Sequence, residues 1–246
     1  MSTAQEIRLG VVIEGPSDRR TVCGLVDRLM AEGIDWIGAA REYLGSFRSW
    51  VGVEEGSVCL AWKDVAQAAN GRVPRRHGHF SGEPGLEDAQ RAALALRLYS
   101  ALPTPPLAVL LVRDSDGRPT ERRKGLEQAR RDGEWKFEVV IGVAHVMREA
   151  WVLAGFMPET AEEGTMLDEE RRVLGFYPHQ EPHQLDAKDE AARKSAKRVL
   201  TALTGGDKER EERCWTEAPL DVLSTRGAEA GLKCFLQEVQ EHLLRQ

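Results

Sequence analysis

Two short apolar runs, each cut off by an acidic turn, constrain this chain more than anything else in it. The first, Ile7 to Ile13 (IRLGVVI), is β-branched and nearly unbroken, the pattern of a strand buried on both faces. It stops at Glu14-Gly15-Pro16-Ser17-Asp18, where Ser17 or Asp18 can cap a helix. Val22, Leu25, Val26 and Leu29 then recur at helical spacing through about Met30. The second run, Leu107 to Val112 (LAVLLV), follows a helix expected over Glu87 to Ala101 and a proline-rich turn, Pro103 to Pro106. It ends at Arg113-Asp114-Ser115-Asp116-Gly117. Strand, polar turn and helix make half of a βαβ unit. In the open parallel sheet this implies, residues just past the carboxyl ends of adjacent strands converge on one edge, and that edge binds ligands.

A helix from about Glu121 to Arg131, a strand from Trp135 to Val143 and a helix through His145 to Leu153 complete an α/β core. The stretch from about residue 38 to 85 fits that rhythm poorly, with many glycines and the basic run RVPRRHGH, and reads as an insertion beside the sheet. Beyond Pro158 the pattern turns helical, clearest over Lys188 to Leu203 and Ala228 to Leu244. The expected organisation is a catalytic α/β domain over residues 1–157 and a helical extension over 158–246 packed on it.

Composition excludes several classes. With 41% hydrophobic and 30% charged residues, the chain has material for a core and for a solvated surface, so disorder is not its main state. No apolar run approaches the roughly 18 to 20 residues of a membrane helix, and the start MSTAQEIRLG is not that of a secretory leader. Cys23, Cys59, Cys214 and Cys234 have no C-x-x-C spacing and read as reduced thiols, so a cytoplasmic location is expected. A net charge of -6 argues against a general nucleic-acid coat. Local basic clusters remain, and Arg72, Arg75 and Arg76, with His77 and His79, suit a loop that contacts phosphates.

The chemistry lies in the turns. Glu14, Asp18, Asp114 and Asp116 follow two strands that should face each other, and carboxylates held a few ångströms apart either share protons or coordinate a cation. Oxygen ligands of this kind suit a hard divalent ion such as Mg²⁺ or Mn²⁺. Taken singly, each turn reads as an ordinary connector. Their matched positions after apolar strands favour metal binding.

Strand then Glu14-Gly15-x-x-Asp18, followed about a hundred residues later by strand then Asp114-x-Asp116, resembles the Toprim fold of topoisomerases, bacterial primases and the nucleases related to the OLD (overcoming lysogenization defect) proteins. The resemblance covers roughly residues 5 to 155. The E-G-x-x-D form, the segment Arg148-Glu149-Ala150-Trp151 and a lysine-bearing C-terminal region make it closest to the OLD-type nucleases. It implies a Toprim-like Rossmannoid parallel sheet and two-metal hydrolysis of DNA or RNA phosphodiesters, with Mg²⁺ or Mn²⁺ as cofactor. Glu14 and Asp18 would hold one ion, Asp114 and Asp116 a second, and Glu149 would complete the shell. Glu14 and Asp114 are then catalytic, along with a lysine that offsets charge in the transition state. Lys188, Lys194 and Lys197 are the candidates, with Lys188 ranked first because it stands at the start of a helix after a loop. Many OLD-type relatives act in antiphage defence, which makes an effector role a further implication.

No Walker A segment is present, unlike the OLD proteins that carry a fused ATPase. The alternative is therefore a nucleic-acid-binding or toxin-like subunit whose cleavage depends on a partner ATPase. His179 and His183 are separated by Pro182, and no cysteine lies at ligand spacing, so zinc is disfavoured. No G-x-S-x-G elbow points to a serine hydrolase.

Overall fold

The computed structural model describes residues 6–34, 43–73 and 85–244. Its centre is β1 (Ile7–Ile13), whose last five residues are buried. Helix α1 (Pro16–Gly33) follows at once. Pro16 opens its first turn, where a missing N–H costs nothing. Asp18 is not the cap but lies three residues inside, its carboxylate accepting the Gly15 N–H at 2.8 Å.

Two strands come from the segment expected to lie beside the sheet. β2 (Arg48–Val51) and β3 (Leu60–Ala61) both pair in parallel with β1, the first along Ile7 to Gly10 and the second at Val12 and Ile13. The expectation of an insertion beside the sheet over about 38–85 is corrected to that extent. Arg75, Arg76, His77 and His79 of the expected basic loop, like residues 35–42, lie outside the described residues.

Helix α2 (Leu86–Ser100) leads into β4 (Ala108–Asp114), α3 (Pro119–Arg131) and β5 (Glu138–Ala144). β4 runs two residues further than expected, through Arg113, so Asp114 ends the strand rather than following it. β5 begins later than expected, at Glu138, because Trp135 turns back to donate its indole N–H to the α3 carbonyls of Ala129 and Arg130. The sheet order is β2-β1-β4-β5, with β3 on the end of β1, and every pair is parallel.

A parallel sheet needs cover on both faces. Val12, Val109, Leu111, Val139 and Ile141 pack on α2 and α3. Leu9, Val11 and Ile13 face α1 and the carboxyl-terminal helices. Gly10 has no side chain because the ring of Tyr99 occupies the space, and a Cβ there would stand 2.6 Å from it. The Tyr99 hydroxyl, within 3.2 Å of the Val11 and Val51 carbonyls, joins β1 to β2.

The α-helices that follow β5 are α4 (Glu149–Ala154), α5 (Ala161–Leu174), α6 (Ala196–Thr204), α7 (Lys208–Thr216), α8 (Leu220–Arg226) and α9 (Leu232–Val239). They share the sheet's own core. Phe235 stacks on Trp151 at 5.0 Å, and Trp215 fills the space where a Cβ on Gly24 of α1 would lie. Glu238 on α9 accepts the Ile141 N–H of β5 and binds Arg123 and Arg130 of α3, which covers the edge strand.

The helix expected over Lys188 to Leu203 starts only at Ala196, where the Ser195 hydroxyl accepts the Arg198 N–H. The helix expected over Ala228 to Leu244 starts at Leu232 and loosens into a π-turn over Gln240–Leu244. The helix expected from His145 begins at Glu149, after a turn. No helix among the described residues is long and apolar enough to cross a membrane.

Candidate functional site

The chain leaves β1 toward β2 on one side and reaches β4 and β5 on the other, so strand order reverses between β1 and β4. At such a reversal the crossovers diverge and leave a crevice at the carboxyl ends of the strands. Glu14 follows β1 there and Asp114 ends β4, on the same edge. Asp18, in the first turn of α1, and Glu149, in the first turn of α4, come to the same place.

Electrostatics confirms the crowding. The Asp114 carboxyl is pushed up to about 8, by burial first and then by the charges of Asp18, Glu149 and Glu14. Burial also raises Glu14, against the pull of Arg113, and raises Asp18, against its bond to Gly15 and the charge of Arg148. Asp114 accepts the main-chain N–H of Arg148 at 3.0 Å but has no cation partner among the described residues.

Its neighbours do. The buried Arg148 guanidinium bonds Glu149 at 2.8 Å and Thr21 Oγ1 at 3.2 Å, and lies 3.5 Å from Asp18. On the other flank Arg113 reaches Glu14 at 3.2 Å and stacks over the Trp62 ring, while its other nitrogen pairs with Asp88. Asp88, buried in the first turn of α2, also takes Arg122, which reaches Asp116 at 2.6 Å. Glu14, Arg113, Asp88, Arg122 and Asp116 thus form one chain of alternating charge along the crevice. Asp116 sits in a left-handed backbone conformation, φ 49°, which a short acidic side chain tolerates, and is exposed at the outer end of that chain.

Guanidinium groups stand against Glu14, Asp18, Asp116 and Glu149, and no three His, Cys, Asp or Glu side chains among the described residues are grouped so as to hold a metal ion. The donor chemistry nonetheless suits a hard cation: the converging side-chain donors are carboxylate oxygens, and the central one lacks a counter-charge. A divalent ion there would take over from Arg148 as the counter-ion of Asp18 and Glu149.

Lys188, in the irregular segment before α6, brings its Cε to 4.0 Å from where a Cβ on Gly117 would be, beside the acidic turn. Lys194 lies over the Phe176 ring, and Lys197 pairs with Glu190 at 2.5 Å. Arg72 binds Glu54 and the Val53 carbonyl, bracing the connection between β2 and β3. Sequence reasoning missed Asp88 as the bridge between arginines, and Arg148 as an internal counter-ion. Asp88, Arg113, Arg122 and Arg148 lie among other polar residues in the sequence, and nothing local says which of them will meet.

Compared with protein-family models, curated proteins and solved structures, the chain matches none.

Proposed function

We propose that this chain is a Toprim-like, metal-dependent phosphodiesterase that cleaves DNA or RNA. The observation that carries the reading is the convergence of Glu14, Asp18, Asp114 and Glu149 at the strand-order reversal of a parallel sheet. Glu14, Asp18, Asp114 and Glu149 would hold Mg²⁺ or Mn²⁺ once drawn together by the ion, and Asp116 would contribute to holding a second. When bound, such ions supply Lewis acidity and neutralise charge on a phosphodiester undergoing attack. The protein's part is to hold those carboxylates at the ends of β1 and β4, and to give up the proton of Asp114 as the site fills. Lys188, whose Cε lies beside Gly117 at the acidic turn, would offer its ammonium to a phosphate oxygen that gains charge. Arg113 and Arg122 keep Glu14 and Asp116 aimed along the crevice.

The test is incubation of the purified chain with plasmid DNA and with structured RNA, with Mg²⁺ or Mn²⁺ and with chelator. Cleavage that needs metal and is lost in Asp114→Asn supports the reading. The guanidinium of Arg148 against Asp18 and Glu149 favours one alternative, in which a partner such as an ATPase must first rearrange the site. Cleavage that appears only with such a partner would select it. A role in antiphage defence follows only if that cleavage is directed at invading nucleic acid.

A further inference from the structure

His145 is the first residue past β5, one step beyond Ala144, which pairs in register with Asp114. Its Nδ1 lies 3.0 Å from Ser115 Oγ, and Ser115 is fully buried. The Gly117 N–H donates to that same Oγ at 3.3 Å, which takes one of its two acceptor sites. In the tautomer in which the hydroxyl donates to Nδ1, the ring proton sits on Nε2, which has no protein partner among the described residues. Burial lowers the pKa of His145, with His183 acting in the same direction and Asp186 against it.

His145 also lines a hollow of about 370 Å³ between the start of α3, the end of β5 and the turn at Ala228 to Gly231. Val143, Ala228 and Cys234 give it apolar wall, Lys124 carries a positive charge with no ion pair among the described residues, and Glu229 supplies a carboxylate. That mixture suits a flat, partly apolar group bearing N–H or O–H donors and joined to an anion. A carboxylate on the wall repels a phosphate but accepts from a base or a sugar.

We propose that this hollow is a nucleotide subsite of the same crevice, in which the sugar and base next to the cleaved phosphate lie, while His145 donates from Nε2 to that phosphate. The inference rests on the phosphodiesterase reading and adds to it which residues grip the strand. Ser115 is a positioning residue: it fixes the tautomer.

Two substitutions separate the ends of the ring. Asn keeps a polar atom near the Nδ1 position, and Gln keeps an N–H near Nε2. Binding of a fluorescent single strand of about twelve nucleotides, DNA or RNA, is measured in chelator. His145→Asn should loosen it about tenfold, and His145→Gln should stay within about threefold of the wild type. The inference is overturned if the wild type does not bind the strand, if both variants bind as the wild type does, or if Gln is the weaker. The last result would make His145 a strut for Ser115 alone. Should either variant fail to fold, the ring signals of His145 in the unmutated protein decide: they move on addition of adenosine monophosphate, or the subsite is wrong. Hydrolysis of bis(p-nitrophenyl) phosphate with Mn²⁺ judges the parent reading separately, since that diester has no nucleoside to seat. Strand binding without any hydrolysis by the isolated chain keeps the subsite and refutes a hydrolase that acts without a partner.

Discussion

The main-chain N–H of Arg148 donates to Asp114 while the guanidinium of the same residue turns away to Asp18, Glu149 and Thr21. The end of β4 therefore carries a carboxyl group with a donor but without a cation, among three other acids. Its consequences can be measured before any metal is added.

A raised folded-state pKa means that Asp114 holds its proton in the native protein at pH values where the unfolded chain has lost it. Its contribution to stability is complete below its ordinary value of 3.8 and is lost as pH rises through about 8. Metal-free protein should thus weaken between about pH 4 and pH 8. Asp114→Asn should remove much of that slope and be more stable at pH 8 by about 3 kcal/mol, the neighbouring acids taking up part of the full effect. Urea unfolding at pH 5 and pH 8 checks this, and parallel pH dependence in both proteins would count against it.

Asp88 is a structural group. It joins Arg113 to Arg122 at a buried position, so Asp88→Asn leaves two guanidinium groups without their shared counter-ion. A loss of about 3–5 kcal/mol is expected, read as a lower urea midpoint with an unchanged slope.

β1 has no room at its middle. Gly10→Ala would press a methyl group into the Tyr99 ring and strain the contact that joins β1 to β2. The expected cost is about 1–3 kcal/mol, and Gly10→Ala combined with Tyr99→Leu should recover part of it.

Lys188 is exposed and stands beside the acidic turn without helping to hold the fold. Lys188→Ala should lower kcat by about a hundredfold and leave Tm unchanged within error. An unaltered kcat would transfer the role to Lys197, whose charge is felt by Glu149.

Much of this architecture is legible in the chain because its strongest signals are local. Ile7 to Ile13 is a strand with the expected bounds, and Glu14 after β1 and Asp114 at the end of β4 lie on the same sheet edge. β2 and β3 were missed because four residues carrying Arg48 and Ser49, and two residues at Leu60, have neither the length nor the unbroken apolar character of a central strand. They are strands because β1 offers them an open edge. The start of α6 at Ala196 rather than Lys188 follows from the Ser195 cap, which competes with a helical pattern that lacks one upstream. The arginine network was illegible for a different reason: Arg113 and Asp88, or Arg148 and Asp18, are far apart in sequence, and only the assembled sheet makes them neighbours.

Calorimetric titration of metal-free protein with Mn²⁺ near pH 7, repeated in buffers of different ionisation heat, tests the central claim most directly. Binding at the carboxylates must discharge the proton of Asp114, so the wild type should bind Mn²⁺ and release about one proton per protein, and Asp114→Asn should bind none. Equal binding in the two proteins without proton release would mean that the cation sits elsewhere and that the acids at the ends of β1 and β4 are not a metal site.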